Sequence, residues 1–239
     1  MKDPKVWLYN ACYHSLSLPL YTLSLFLASN TAANVCPNLR LTSSQPSIIK
    51  NLGYSAANAQ LLTIPPYALA TMLTVIYAIV SERYHRRGPF IMASSLTAII
   101  GYCILLGNTD PTHRPGVSYA GVFFAAAGIY PAVALTLSWP AINVSGQTKR
   151  ATANAMQITI GNLGAVIGTQ LYRSNDGPRY VVGHSVALAY LVWNIAIVAT
   201  LWYVLERINK KRDADAANGA ETYDGEWKGD EDPRWRFRL

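Results

Sequence analysis

Six stretches of this chain hold no Asp, Glu, Lys or Arg: Val6–Leu27, Asn58–Ser81, Gly88–Gly107, Gly116–Trp139, Ala151–Tyr172 and Val181–Leu205. Each is 20 to 25 residues long. At about 1.5 Å of rise per residue, such a helix crosses a hydrocarbon core of about 30 Å. Buried helices of soluble proteins are usually shorter and amphipathic. The pattern therefore predicts an all-α membrane protein with six transmembrane helices, occupying residues 1–208.

Polar side chains inside the segments are not scattered. In the first, Asn10, His14, Ser17, Tyr21 and Ser24 recur at alternating four- and three-residue steps and share one helix face. Thr63, Tyr67, Thr74, Tyr77 and Ser81 do the same in the second, and Asn154, Gln157, Gly161, Gly164 and Gly168 in the fifth. The third offers mainly Ser94, Ser95 and Thr97, which can bond back along their own helix. The sixth has Asn194 alone near its centre. Helices one, two and five are therefore expected to need polar or close-packed neighbours, whereas three and six can face lipid. Pro65-Pro66 predicts a bend in the second helix, and Pro131 after Tyr130 one in the fourth.

Composition agrees with the pattern. Of 239 residues, 51% are hydrophobic and only 14% charged, against about 25% in ordinary soluble domains. The net charge of +7 is distributed unevenly. Counting loops from the N-terminus, one side receives Lys2, Lys5, Arg83, Arg86, Arg87, Lys149, Arg150 and everything from Arg207 onward, fifteen of the 20 basic residues. The excess of Lys and Arg marks the cytoplasmic side, so both termini are expected there. Residues 209–239 are charged and rich in small residues, which predicts a disordered cytoplasmic tail. The apolar run behind Met1–Lys5 is too long for a signal peptide. Cys12, Cys36 and Cys103 have no ligand or disulfide spacing and read as small packing residues.

The candidate chemistry is that of recognition, not catalysis. No carboxylate lies at membrane depth, and no His or Cys pair stands at ligand spacing, so neither an enzyme nor a metal or other cofactor is expected. No folded basic surface suits nucleic acid. Gly161, Gly164 and Gly168 form a smooth strip for close helix packing. Asn154 and Gln157 lie on the same strip. A buried amide costs roughly 2–7 kcal/mol unless bonded, so they either bond a neighbouring helix or line a wet cavity. His14 is an ionisable residue deep within a span; a proton carrier and a neutral histidine bonded to a neighbour are both open readings. Asn143-Val144-Ser145 matches a glycosylation acceptor but falls on the expected cytoplasmic side, where it stays unmodified.

Several runs together resemble fungal transporters of the major facilitator superfamily. They are SERYHRRGPFI at Ser81–Ile91, PPYALA at Pro65–Ala70, the N-V-x-G-x-T-K-R run at Asn143–Arg150, GNLGAVIG at Gly161–Gly168 and DGPRY at Asp176–Tyr180. The most similar branch is the allantoate permease-like anion:cation symporters, which include nicotinate and pantothenate carriers. The resemblance covers nearly the whole chain but aligns with the C-terminal six-helix half of a twelve-helix fold, whose substrate site lies between halves. It implies proton-coupled uptake of a small organic anion, such as a carboxylate, vitamin or ureide, across the plasma membrane. His14, Ser17, Tyr21, Tyr67, Tyr130, Asn154 and Gln157 are then expected to line the substrate cavity. Glu82, Arg83, Arg86 and Arg87 fall on a loop that helps control gating in the family. A second six-helix half is the implied partner, together with proton, substrate and lipid bilayer. The alternative is a non-transporting membrane fragment, or a packing partner arising from a truncated gene model.

One segment departs from the family pattern. Relatives of this kind run from S-L-F-L directly into P-x-I-I, whereas here Ser24–Leu27 and Pro46–Tyr54 are separated by the 18 residues Ala28–Gln45. This polar, turn-rich insert predicts a long extracellular loop. It also reads as a translated intron: Gln45 can be encoded CAG, as a 3′ splice site requires, and Leu41-Thr42 can encode CTAAC, as a branch point would. The expectation is a native product that is longer at its N-terminus and lacks most of that insert. Sequencing the mature message tests this; a transcript starting at Met1 and retaining those codons would defeat it.

Overall fold

A computed structural model describes residues 3–28, 63–109, 115–171, 181–217, 227 and 229–239. Within them lie six α-helices: α1 (Pro4–Ala28), α2 (Ile64–Tyr84), α3 (Gly88–Gly107), α4 (Pro115–Asn143), α5 (Gln147–Leu171) and α6 (Val181–Ala217). A single 3-10 turn, Gly229–Glu231, follows. The all-helical membrane protein expected from the uncharged runs is what forms. Four helices, α2, α3, α4 and α6, are long and apolar enough to cross a membrane by length and composition. The atypical insert lies outside the described residues beyond its first residue, Ala28.

The polarity of α1 and α5 has a structural counterpart, because these two helices pack against each other. Helix α1 also touches α6 and α4, α2 leans on α4, and α3 is sandwiched between α4 and α6. Trp139, Tyr9, Tyr102, Leu16, Ile91 and Leu191 are fully buried where these helices meet. The α3–α4 seam is the tightest contact. Gly101 and Gly128 bring the two backbones together, and the Ser94 hydroxyl donates across the seam to the Gly128 carbonyl at 2.6 Å. Small residues allow this approach where apolar burial gives no driving force between helices in lipid.

Several expectations need correction. Pro65-Pro66 do not bend a helix; they open one, because α2 starts at Ile64 and both prolines sit in its first turn. There the missing N–H is one that no helix would use. At its other end α2 stops at His85, which takes a left-handed conformation (φ 52°). Helices α3 and α6 are not simply lipid-facing. Asn194 is fully buried, donating to the Cys12 carbonyl at 3.1 Å and to the Ser15 hydroxyl at 2.8 Å while accepting from Ser95 at 2.9 Å. On α2 the polar face does find neighbours, with Ser81 buried and Tyr67 and Tyr77 half-buried against Tyr130 and Phe90, while the opposite face, with Met72 and Ile79 both above 60%, is exposed.

Of residues 209–239, expected to be a disordered tail, the described part has structure, and 218–226 and 228 lie outside the described residues. Helix α6 continues past residue 205 to Ala217, and residues 229–239 fold back over the charged end of the bundle. Composition suggested disorder because few apolar residues are present, yet this segment is held through its backbone and ion pairs.

Candidate functional site

The seven candidate cavity residues fall on two helix pairs. Along the α1–α5 seam, the three glycines of α5 let the helices touch. A Cβ added at Gly164 would lie 3.2 Å from the His14 carbonyl oxygen, and one at Gly168 would lie 3.1 Å from Thr22 Cγ2. At Gly161 it would collide with the Tyr13 ring. His14 is half-buried, and its Nδ1 lies 3.1 Å from the Ile160 carbonyl, which can only accept, so that nitrogen carries the hydrogen. Tyr21 donates to Asn162 at 2.9 Å in an exposed position.

Deeper in the seam, where α4 joins it, polar side chains are enclosed. Gln157 is 1% exposed; its Nε2 donates to the Thr136 carbonyl at 3.1 Å and to the Tyr9 carbonyl at 3.4 Å. Its Oε1 has no hydrogen-bond partner among the described residues, nor do both amide atoms of Asn10, Thr136 Oγ1, Ser17 Oγ and Asn154 Oδ1. Buried polar atoms are nearly always bonded, so a concentration of unbonded ones marks a place built to meet water, another chain or a ligand.

Tyr67 and Tyr130 stand elsewhere, between α2 and α4. Their rings meet edge to face with centroids 5.6 Å apart, and with Ala70, Thr74, Val133 and Leu137 they line a groove of about 390 Å³. Thr71 and Thr74 satisfy their hydroxyls on their own helix, at 2.8 and 2.7 Å. This groove is mainly apolar. The structure therefore brings His14, Ser17, Asn154 and Gln157 to one seam with Tyr21 at its exposed edge, and Tyr67 and Tyr130 to another, with α4 common to both.

The charged loop also divides. Arg87 is buried, pairing with Glu82 at 3.0 Å and donating to Ser138 on α4, while Arg83 and Arg86 are exposed. Arg238 from the folded-back segment reaches the same Glu82 carboxylate. Nearby, Lys149 binds Asp230 at 2.7 Å and Asp3 at 3.4 Å beside a cavity of about 900 Å³. Burial alone would depress the Lys149 ammonium, but the Asp230 and Asp3 carboxylates outweigh it and hold it above its ordinary value.

Residues that the sequence pattern did not single out as site-forming include Thr136, Asn209 and Asn143, the last read only as a glycosylation acceptor. Thr136 carries no signal as a lone hydroxyl between Leu135 and Leu137. Asn209 lies among charges and reads as solvated surface. Among the described residues no group of three His, Cys, Asp or Glu is placed to hold a metal.

Comparison with known proteins supplies the frame for this geometry. The chain is 33% identical over 85% of its length to the MFS-type transporter cnsO of Penicillium expansum, covering 40% of that protein. It is 31% identical over 90% of its length to a high-affinity nicotinic acid transporter of Saccharomyces cerevisiae, covering 36% of it. An uncharacterised transporter of Schizosaccharomyces pombe matches at 27% identity over 99% of the chain and 43% of its own length. The chain thus spans about two fifths of the curated relatives it matches. No family model matches it, and no solved structure does. These relatives are all named transporters; over most of its own length the chain is similar to part of such fungal MFS-type transporters, and its four long apolar helices are those of a multi-pass membrane protein.

Proposed function

We propose that the chain forms the C-terminal six-span half of a proton-coupled importer for a small organic anion. One observation carries the reading: buried, unbonded polar atoms of Asn10, Thr136, Asn154 and Gln157 are concentrated among α1, α4 and α5, inside a membrane protein. A purely structural seam would pair them, since each orphaned buried group costs about 1–3 kcal/mol. The cavity wall in this reading is the seam of His14, Ser17, Tyr21, Asn154 and Gln157, continued by Tyr67 and Tyr130 across α4. These side chains hydrogen-bond the substrate. No Lys or Arg of the uncharged segments is available to pair with a carboxylate, so that charge and the proton-coupling group belong to a second six-helix unit. Both termini are cytoplasmic in this arrangement, and the host membrane is the plasma membrane. A nicotinic acid transporter among the relatives supports a carboxylic acid as substrate class.

Uptake of a radiolabelled carboxylate panel tests the proposal, in cells expressing the chain alone and with a complementary six-helix half. Asn154→Ala and Gln157→Ala should each lower uptake at least about tenfold at unchanged surface abundance, the equivalent of about 1.4 kcal/mol of lost binding. Uptake indifferent to both substitutions rejects the site. No uptake under either condition favours a non-transporting packing partner.

A further inference from the structure

The charged end of the bundle contains a feature that transport does not explain. Residues 235–239 run without helical structure along the ends of α4 and α6, and two asparagines grip their backbone. Asn143, the last residue of α4, accepts from the Arg238 N–H at 2.8 Å and donates to the Arg238 carbonyl at 2.8 Å. Asn209, on α6, does the same to the next peptide unit back, accepting from the Phe237 N–H at 2.9 Å and donating to the Phe237 carbonyl at 2.8 Å. A side-chain amide is the one group that presents a donor and an acceptor side by side, so each reads the N–H and C=O of one residue as a neighbouring strand would.

The side chains are read as well. Phe237 is 4% exposed, held between the Lys5 ammonium at 4.4 Å and the Arg212 guanidinium at 4.9 Å from its ring centre. Both cations lie within the range of attraction to an aromatic face. Arg238 pairs with Glu82 in the last turn of α2. Trp139 donates its indole N–H to the Arg238 carbonyl at 3.0 Å, and Arg212 donates to the Trp235 carbonyl at 2.7 Å. Five contacts on one short extended stretch, from α1, α2, α4 and α6, are more than chance apposition of a tail supplies.

We propose that this end of the bundle is a peptide-binding cleft, specific for an aromatic–basic pair in extended conformation, with the chain's own Phe237-Arg238 as its ligand in cis. Asn143 and Asn209 are its backbone clamps, Lys5 and Arg212 its aromatic pocket, and Glu82 its basic-residue acceptor. Bound there, the segment ties the end of α2 to α4 and α6.

Hydrogen exchange on the full 239-residue chain in detergent, resolved to single amides, tests this. The Phe237 and Arg238 amides should exchange at least about tenfold more slowly than in the free peptide, as amides in locally stable contacts do. Asn209→Ala should free Phe237 most and Asn143→Ala should free Arg238 most. Because Asn143 also donates to the buried Tyr9 hydroxyl at 2.8 Å, the less enclosed Asn209 keeps the test decisive should Asn143→Ala unfold. Adding the synthetic peptide GDEDPRWRFRL in excess should speed exchange of the chain's own two amides, and the version with its Phe and the following Arg replaced by Ala should not. Free-peptide exchange rates in the unaltered chain, or equal competition by both peptides, would overturn the proposal.

Discussion

Gly128→Leu is expected to dismantle the α3–α4 seam and give the largest loss of stability of any single substitution considered for this chain. A Cβ at Gly128 would lie 2.6 Å from the Ser94 carbonyl oxygen and 2.7 Å from Ala98 Cα. These are backbone atoms of the facing helix, so no rotamer change relieves the overlap; the helices must separate. Separation also stretches the Ser94 hydroxyl bond to the Gly128 carbonyl. Overpacking a core costs about 1–3 kcal/mol even where side chains can shift, so about 3 kcal/mol or more is expected here. Thermal denaturation of the detergent-solubilised chain, read by loss of the monodisperse species, measures it. Gly107→Ala is the control, because a Cβ there meets nothing within 4 Å. If Gly128→Leu melts with that control, the seam is not as described.

Asn194→Leu should follow in size. It removes three hydrogen bonds that join α6 to α1 and α3: to the Cys12 carbonyl, the Ser15 hydroxyl and from the Ser95 hydroxyl. Such bonds average about 0.6 kcal/mol in membrane proteins and reach about 1.7, so the set is worth about 2 kcal/mol. Combining Asn194→Leu with Ser95→Ala should cost less than the sum of the two, since both delete one shared bond. Strict additivity in the same melting assay would show that the residues do not interact.

Both sites illustrate what the residue pattern can and cannot convey. Absence of charge located the helices, and α3 occupies the expected Gly88–Gly107. Periodicity grouped Asn154, Gln157 and the three glycines on one face of α5, because a shared face depends only on spacing. It could not say which helix meets that face. Asn194 therefore read as isolated although three helices converge on it. Gly101 and Gly128 went unread although Gly121, Ala125, Gly128 and Ala132 repeat at four- and three-residue steps. The start of α2 was misjudged because Pro65-Pro66 suit a first turn as well as a bend, and only the fold decides between them. The last residues were hardest to read. Composition reports how much apolar surface a segment can bury, and is blind to a backbone gripped by two amides.

The cation–aromatic contact between Lys5 and Phe237 joins residues separated by 232 positions, a loop nearly as long as the chain. At about 5–20 residues per second of synthesis, roughly ten to fifty seconds separate the appearance of the two on the ribosome. Until residues 230–237 are made, Lys5 lacks its aromatic partner and Lys149 keeps only Asp3, so the nascent bundle shows its surroundings a more basic face. A chaperone or membrane insertase attracted to that face would find it only before residues 230–237 are made, and their synthesis would be the event that hides it.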